Sequence, residues 1–164
     1  NRDILELQEL CKTTFYETFA WANSKRSLEM YLNNSFTKKK LEEEISDPES
    51  EFYFAKSNGK AIGYLKVNSD KAQTELQDVN ALEIERIYVL KDYHGKGIGK
   101  LLFDKAVEIA KNKNLLYIWL GVWDRNERAV NFYKKNGFQE FGTHIFLMGD
   151  KEQTDLMMKL DFKK

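Results

Sequence analysis

Ala81-Leu-Glu-Ile-Glu-Arg-Ile-Tyr-Val-Leu-Lys-Asp-Tyr-His-Gly-Lys-Gly-Ile-Gly-Lys-Leu-Leu-Phe103 is the stretch that decides the fold, because its periodicity changes twice. Leu82 and Ile84 keep the two-residue spacing of a strand, as do Ile87 and Val89, but a gap of three separates the pairs. A strand that slips by one residue predicts a β-bulge near Glu85-Arg86, and a bulge leaves backbone donors that can bond a ligand lying along the strand. The alternative is an unbroken strand from which Arg86 snorkels. After Val89 come Gly95, Gly97 and Gly99, then a helical pattern from about Gly97 to Asn112. Glycine lets the backbone turn and approach a bulky ligand, and a helix start offers free N–H groups and the positive end of the dipole. This predicts an anion site suited to phosphate, with a plain loop as the other reading. Two common phosphate loops are excluded. A Walker loop fails because His94 stands at its first glycine and Leu101 follows the lysine, and the dinucleotide fingerprint fails because Lys100 replaces its third glycine.

Working outward, Leu115 to Val122 reads as a strand, and Asn126 to Asn136 as a helix closed by Gly137. Phe138 to Phe146 and about Thr154 to Phe162 read as two more strands. Upstream, Phe52 to Ala55 and Ala61 to Val67 flank Asn58-Gly59, a favoured hairpin turn. Three helices precede the hairpin. The first, Asp3 to Phe19, has an apolar stripe and an Asp cap. The second runs from about Ser27 to Phe36. The third, Lys38 to Ile45, is capped by Thr37 and halted at Asp47-Pro48. The polar run Asn68 to Asn80 reads as a loop too short for a domain linker. The fold class is α/β with a mixed sheet, in one domain over residues 1–164.

The 164 residues carry 26 basic and 26 acidic side chains, a balance that argues against a nucleic-acid binder. No stretch reaches the roughly 20 apolar residues of a membrane span, and no signal-peptide pattern opens the chain, so the reading is cytoplasmic. Cys11, on the apolar stripe, is expected to be a small core residue rather than a nucleophile. No metal is called for.

A third element, Asn126-Glu-Arg-Ala129-Val-Asn-Phe-Tyr133-Lys-Lys-Asn-Gly137-Phe138, puts Asn126, Ala129 and Tyr133 on one helix face. Singly, Asn126 reads as an N-cap and Tyr133 as a half-buried ring. Together, the strand, the His94-x-x-Gly97-x-Gly99 loop and the Asn-x-x-Ala-x-x-x-Tyr helix resemble the GNAT N-acetyltransferase family. Leu82 to Val89, Ile118-Trp-Leu-Gly-Val-Trp123 and Met148-Gly-Asp-Lys-Glu-Gln-Thr-Asp-Leu156 look like the PaiA-type spermidine/spermine acetyltransferases of bacteria. The resemblance implies a mostly antiparallel, twisted sheet that splays between its two central parallel strands. It also implies acetyl-coenzyme A as cosubstrate, a primary amine as acceptor with a polyamine foremost, and allows a homodimer. The family opens with a strand that would lie upstream of Asn1, and it has Gln or Arg where this chain has His94.

Carried over residue by residue, the resemblance has the backbone of Ile87, Tyr88 and Val89 pair with the pantetheine arm. Gly95, Lys96, Gly97, Ile98, Gly99 and Lys100 cradle the pyrophosphate, with His94 facing a phosphate or solvent. Asn126, Arg128 and Ala129 complete the cosubstrate site, and the Val89 N–H faces the oxyanion. The amine attacks directly, without a covalent enzyme intermediate. A polyamine nitrogen with a pKa of about 10.4 must first lose a proton, and Glu85 is the candidate base, the alternative being a surface carboxylate paired with Arg86. Tyr133 is the candidate acid for the leaving thiolate. Trp119 and Trp123 are candidate cation–π walls for the amine, with core packing the other reading for Trp119. Glu83 and Asp92 add negative potential, and His144 is expected to sit on a strand rather than line the pocket. Acyl-coenzyme A binding without turnover is the reading from another functional class, opposed by the presence of both Glu85 and Tyr133. Other acceptors also remain open: a peptide N-terminus, a lysine or an aminoglycoside.

Overall fold

The computed structural model of the chain describes residues 2–162. Three helices come first, α1 (Arg2–Phe19), α2 (Lys25–Ser35) and α3 (Lys38–Ser46). The hairpin β1 (Ser50–Ser57) and β2 (Lys60–Asn68) follows, then β3 (Ala81–Val89), α4 (Ile98–Asn112), β4 (Tyr117–Trp123) and α5 (Glu127–Lys135). A second hairpin, β5 (Gln139–Met148) and β6 (Lys151–Asp161), ends the described chain. The six strands form one sheet in the order β1-β2-β3-β4-β6-β5. Only β3 and β4 pair in parallel, and α4 is the crossover between them.

Local chemistry sets most boundaries. Asn58 and Gly59 both take positive φ (51° and 79°), as a two-residue hairpin turn with the twist of its strands requires. Ser24 caps α2 by accepting from the Ser27 N–H at 3.1 Å, which starts that helix at Lys25, earlier than its apolar pattern suggested. Thr37 caps α3 through the Lys40 N–H. Asp3 stands inside α1 rather than ahead of it. The helix already runs at Arg2, and Asp3 lies in its first turn, where a carboxylate suits the helix dipole. The second hairpin is tighter than its pattern suggested, with Gly149-Asp150 alone linking β5 to β6.

Apolar side chains pack on both faces of the sheet. Ile62, Leu65 and Val67 of β2 meet Leu102, Phe103 and Ala106 of α4 on one face. On the other, Leu7, Cys11, Phe15 and Phe19 of α1 pack with Leu28, Leu41 and Tyr64. Cys11 is fully buried there, and burial pushes its thiol up to about 11, the behaviour of an inert core residue.

Two irregularities prepare the site. Lys66 pairs with Arg86 but Val67 pairs with Ile84, so Glu85 is the extra residue of a bulge in β3. Parallel pairing of β3 with β4 then stops at Ile84 opposite Leu120, although the strands continue to Val89 and Trp123. The sheet opens there as a wedge. The run after Asn68 is a loop up to Asn80, largely exposed but tied to the core at a few side chains. Asn68 and Gln73 are buried, the Trp119 Nε1–H donates to Gln73 Oε1 at 2.7 Å, and Thr74 donates its N–H and hydroxyl to Glu83.

Beside the bulge lies a four-charge cluster. Arg86 donates two bonds of 2.8 Å to the Glu44 carboxylate of α3, and the nearly buried Lys66 pairs with Glu85 and lies 3.6 Å from Glu44. Two cations face two anions. Burial alone would push the Glu44 carboxyl up, but its Arg86 bonds and the Arg86 and Lys66 charges outweigh burial and hold it low. Replacing Glu44 with Ala leaves a surplus buried cation, so stability should fall by about 3 kcal/mol at pH 7 in urea unfolding. Because the folded pKa is depressed, this contribution is present above the unfolded value of about 4.3. It is lost as pH falls through the lower folded value, so parent and variant should converge in strong acid.

Candidate active site

Two cavities meet inside the wedge. One of about 800 Å³ runs along the glycine loop and the N-terminal ends of α4 and α5. The other, about 270 Å³, lies between β3, β4, β6 and the helices α1 and α2. Ile87, Tyr88, Asn126, Ala129 and Tyr133 line both.

The larger cavity fits a phosphate-bearing ligand. Gly97 takes φ +80° and stands at the N-cap of α4, where no side chain caps the helix. The N–H groups of Ile98, Gly99 and Lys100 find no backbone acceptor among the described residues, as first-turn donors do. A Cβ built on Gly95, Gly97 or Gly99 meets nothing within 4 Å, so the backbone borders open space. Lys96 does not line this cavity, and its ammonium lies 5.4 Å from the Tyr93 ring. His94 is more than a solvent-facing residue. Its Nε2 bonds the Val89 carbonyl at 2.8 Å while Arg128 donates to its Nδ1 at 2.9 Å. That pattern suits a neutral ring protonated on Nε2, and it ties the end of β3 to α5. Asn126 caps α5, accepting the Ala129 N–H on Oδ1 at 3.2 Å, which leaves its amide donors toward the cavity.

The edge of Ile87 to Val89 that faces β4 has no strand partner, since parallel pairing has ended. Tyr133 is buried at the junction, its ring edge-on to Phe132 and Phe138, and its hydroxyl finds no hydrogen-bond partner among the described residues. Burial pushes the phenol well above its ordinary value. Tyr88 is raised as well, by burial first and then by nearby groups including Tyr133 and Asp155.

The smaller cavity carries four carboxylates, Glu75, Glu83, Glu85 and Asp155. Glu83 is buried and accepts from Asn68, the Thr74 N–H and the Thr74 hydroxyl, so it anchors the 68–80 segment. Burial, the largest influence, pushes its carboxyl up. Glu85 pairs with Lys66, and Arg86 Nη2 lies 3.9 Å away, so its main partner is not the arginine beside it in sequence. Asp92 lines neither cavity. Trp119 borders the smaller cavity but is only 1% exposed, with its indole N–H bonded to Gln73. Trp123 also borders it, packed against Phe19 and Trp21, with the Arg125 guanidinium 5.7 Å from its ring. His144 lines the cavity, its Nδ1 3.0 Å from Glu75 Oε1.

Sequence reasoning passed over Glu75, Asp155, Arg125 and Trp21. Glu75 lies in a run without periodicity. Asp155 carried a signal, since it sits where β6 pairs with Trp123 and His144 and so shares their face.

Comparison with known proteins adds an independent line. A profile of the Acetyltransferase (GNAT) family matches residues 5–138. The chain is 42% identical over 158 residues to an uncharacterised N-acetyltransferase of Lactobacillus delbrueckii subsp. lactis, covering 96% of this chain and 91% of the relative. It is 31% identical over 143 residues to the spermidine N(1)-acetyltransferase of Thermoplasma acidophilum, covering 84% and 83%. Its structure is similar to the PaiA N-acetyltransferase of Thermoplasma acidophilum, crystallised with coenzyme A, at a TM-score of 0.81 and 27% identity, covering 98% and 94%.

Proposed function

The chain belongs to the Acetyltransferase (GNAT) family, and from that membership and the site we propose that it transfers the acetyl group of acetyl-coenzyme A to a primary amine, with a polyamine such as spermidine or spermine as acceptor. The observation that carries this reading is the meeting of the two cavities at Tyr133, a phosphate-ready cleft on one side and a carboxylate-lined chamber on the other. A polyamine is favoured because the chamber presents Glu75, Glu85 and Asp155 against aromatic walls, and because the spermidine N(1)-acetyltransferase of Thermoplasma acidophilum matches 84% of this chain at 31% identity.

Acetyl-coenzyme A supplies the activated thioester. The amides of Gly95 to Lys100 bond the pyrophosphate at the helix start, with Arg128 as counter-charge. The free edge of Ile87 to Val89 bonds the pantetheine arm as a further strand would, and Asn126 steadies it. The Val89 N–H stabilises the charge that develops on the carbonyl oxygen. Glu75 and Glu85 draw the cationic amine inward. Tyr133 gives its proton to the departing sulfur. Burial raises the phenol, but a thiolate forming in the same dry junction is raised by the same cause, so the two stay matched.

A thiol-release assay tests the whole reading. Spermidine and spermine should be turned over at higher kcat/KM than neutral-chain amines, peptides or an aminoglycoside. Turnover of a peptide or aminoglycoside with inert polyamines would reject the polyamine assignment alone. Gly99→Gln should weaken acetyl-coenzyme A binding at least about tenfold in calorimetry without lowering the melting temperature. Its side chain fills space that the cosubstrate needs, and a Cβ there meets no atom of the fold within 4 Å. Tyr133→Phe keeps the ring and removes only its hydroxyl. It should lower kcat by about a hundredfold or more with acetyl-coenzyme A affinity nearly unchanged. A tyrosine serving only as packing would leave kcat at the parent value.

A further inference from the structure

We propose that Asp155 is a further catalytic residue, the base that takes the proton from the incoming ammonium group. This rests on the amine-acetylation reading above. Of the four carboxylates lining the acceptor chamber, three are already engaged. Glu75 pairs with His144, Glu83 holds Asn68 and Thr74, and Glu85 pairs with Lys66. To accept a proton, each would have to give up a partner that stabilises its charge. The Asp155 carboxylate receives no hydrogen bond among the described residues.

Its place in the sheet opens it to the chamber. Asp155 of β6 pairs with Trp123 of β4 and His144 of β5. Its Oδ2 lies 3.5 Å from where a Cβ on Gly121 would stand, so the missing side chain leaves that side of the carboxylate uncovered. Gly121 lies in the part of β4 that no longer pairs with β3, and it too lines the chamber. The unpaired edge of β3, with Tyr88, and the junction residue Tyr133 of α5 line the same chamber.

The titratable groups facing Asp155 are His144 from β5, Asp124 from the segment after β4, Tyr88 from β3 and, at the junction, Tyr133 from α5. Burial is the largest influence and raises the carboxyl, His144 lowers it and Asp124 raises it, leaving it at about 6. A base with such a value is ionised at neutral pH and still holds a proton better than a surface aspartate of about 3.9.

The proton balance closes. The ammonium loses one proton to Asp155 Oδ, which releases it to solvent, and the neutral nitrogen bonds the acetyl carbon. The carbon–sulfur bond breaks as the nitrogen sheds its second proton. The Tyr133 proton goes to sulfur, and the second nitrogen proton restores the phenol. One amide, one free thiol and one solvent proton result.

The test compares Asp155→Asn with Glu85→Gln in the full chain. Asp155→Asn should lower kcat about a hundredfold to ten-thousandfold, keep acetyl-coenzyme A affinity within about twofold by calorimetry, and abolish the acid limb of the kcat/KM profile near pH 6. Glu85→Gln should keep that limb. A second readout needs no turnover. A carboxyl whose folded pKa is raised destabilises the fold when ionised, so the penalty grows as pH rises from the unfolded value through the folded one. Asp155→Asn should therefore melt roughly 2–6 °C above the parent at pH 8, the gain vanishing near pH 4. Near-parent turnover with the acid limb intact in Asp155→Asn, or loss of the limb in Glu85→Gln instead, overturns the assignment. A parent protein that binds acetyl-coenzyme A but acetylates no amine sinks the amine-acetylation reading itself.

Discussion

The site depends on one constraint: β3 and β4 must start as hydrogen-bonded parallel neighbours and then part. Pairing holds from Ala81 opposite Tyr117 to Ile84 opposite Leu120 and then ends. Parting leaves polar backbone on both strands without a partner, which is costly unless a ligand or water takes it up. The bulge at Glu85 makes the separation possible by bending and twisting β3 at the point where pairing ends. Once the strands have opened, the edge of Ile87 to Val89, the glycine loop beyond it and the helix cap at Asn126 face a common space.

A wedge cut into a sheet needs reinforcement. The charge cluster of Arg86, Glu44, Lys66 and Glu85 supplies it by tying the bulge to α3 and to β2. Buried ion pairs add little net stability on average, and their better-attested use is to fix one arrangement over another. Here the arrangement is a register. A β3 without its bulge would turn Arg86 away from Glu44 and break the two hydrogen bonds between them. The anchoring of Glu83 by Thr74 and Asn68 does the same on the paired side of the bulge, where it also closes the floor under Trp119.

Most of the fold was legible because its signals are local. The three-residue gap between Ile84 and Ile87, the Asn58-Gly59 turn, the Thr37 and Asn126 caps and the glycine run each act within a few residues of themselves. The glycine-lined cleft at the start of α4 was legible for the same reason. The acceptor chamber was much less so. Whether a carboxylate is free or engaged is decided by residues far away in sequence, such as Glu44 for Arg86 at a separation of 42 and Thr74 for Glu83 across a chain reversal. Glu85 and Asp155 look alike in a sequence, and only the packing of Lys66 against one of them separates them. The polar run 68–80 is the loop it reads as, but its tethers to the core were hidden for a related reason. Asn68, Gln73 and Thr74 bond buried partners while most of the others face solvent, and composition does not distinguish the two.

Dryness then sets the chemistry. The same burial that raises Tyr133 raises Asp155, in both cases because the charged form loses water without gaining a hydrogen-bonding partner. For the tyrosine this keeps the phenol protonated over the whole physiological range, as the donor proposed above must be. For the aspartate it yields a carboxylate that is ionised at neutral pH yet avid for a proton, as an acceptor must be. One low-dielectric chamber thus pushes two groups with opposite tasks in the same direction and suits both. Among the other chamber carboxylates, burial pushes Glu83 up too, but the donors of Asn68 and Thr74 work against it, and Asp155 has no such donors among the described residues. The proposed division of labour follows from this, with charge pairs that hold the wedge open and two unpartnered acids assigned to the protons of the amine.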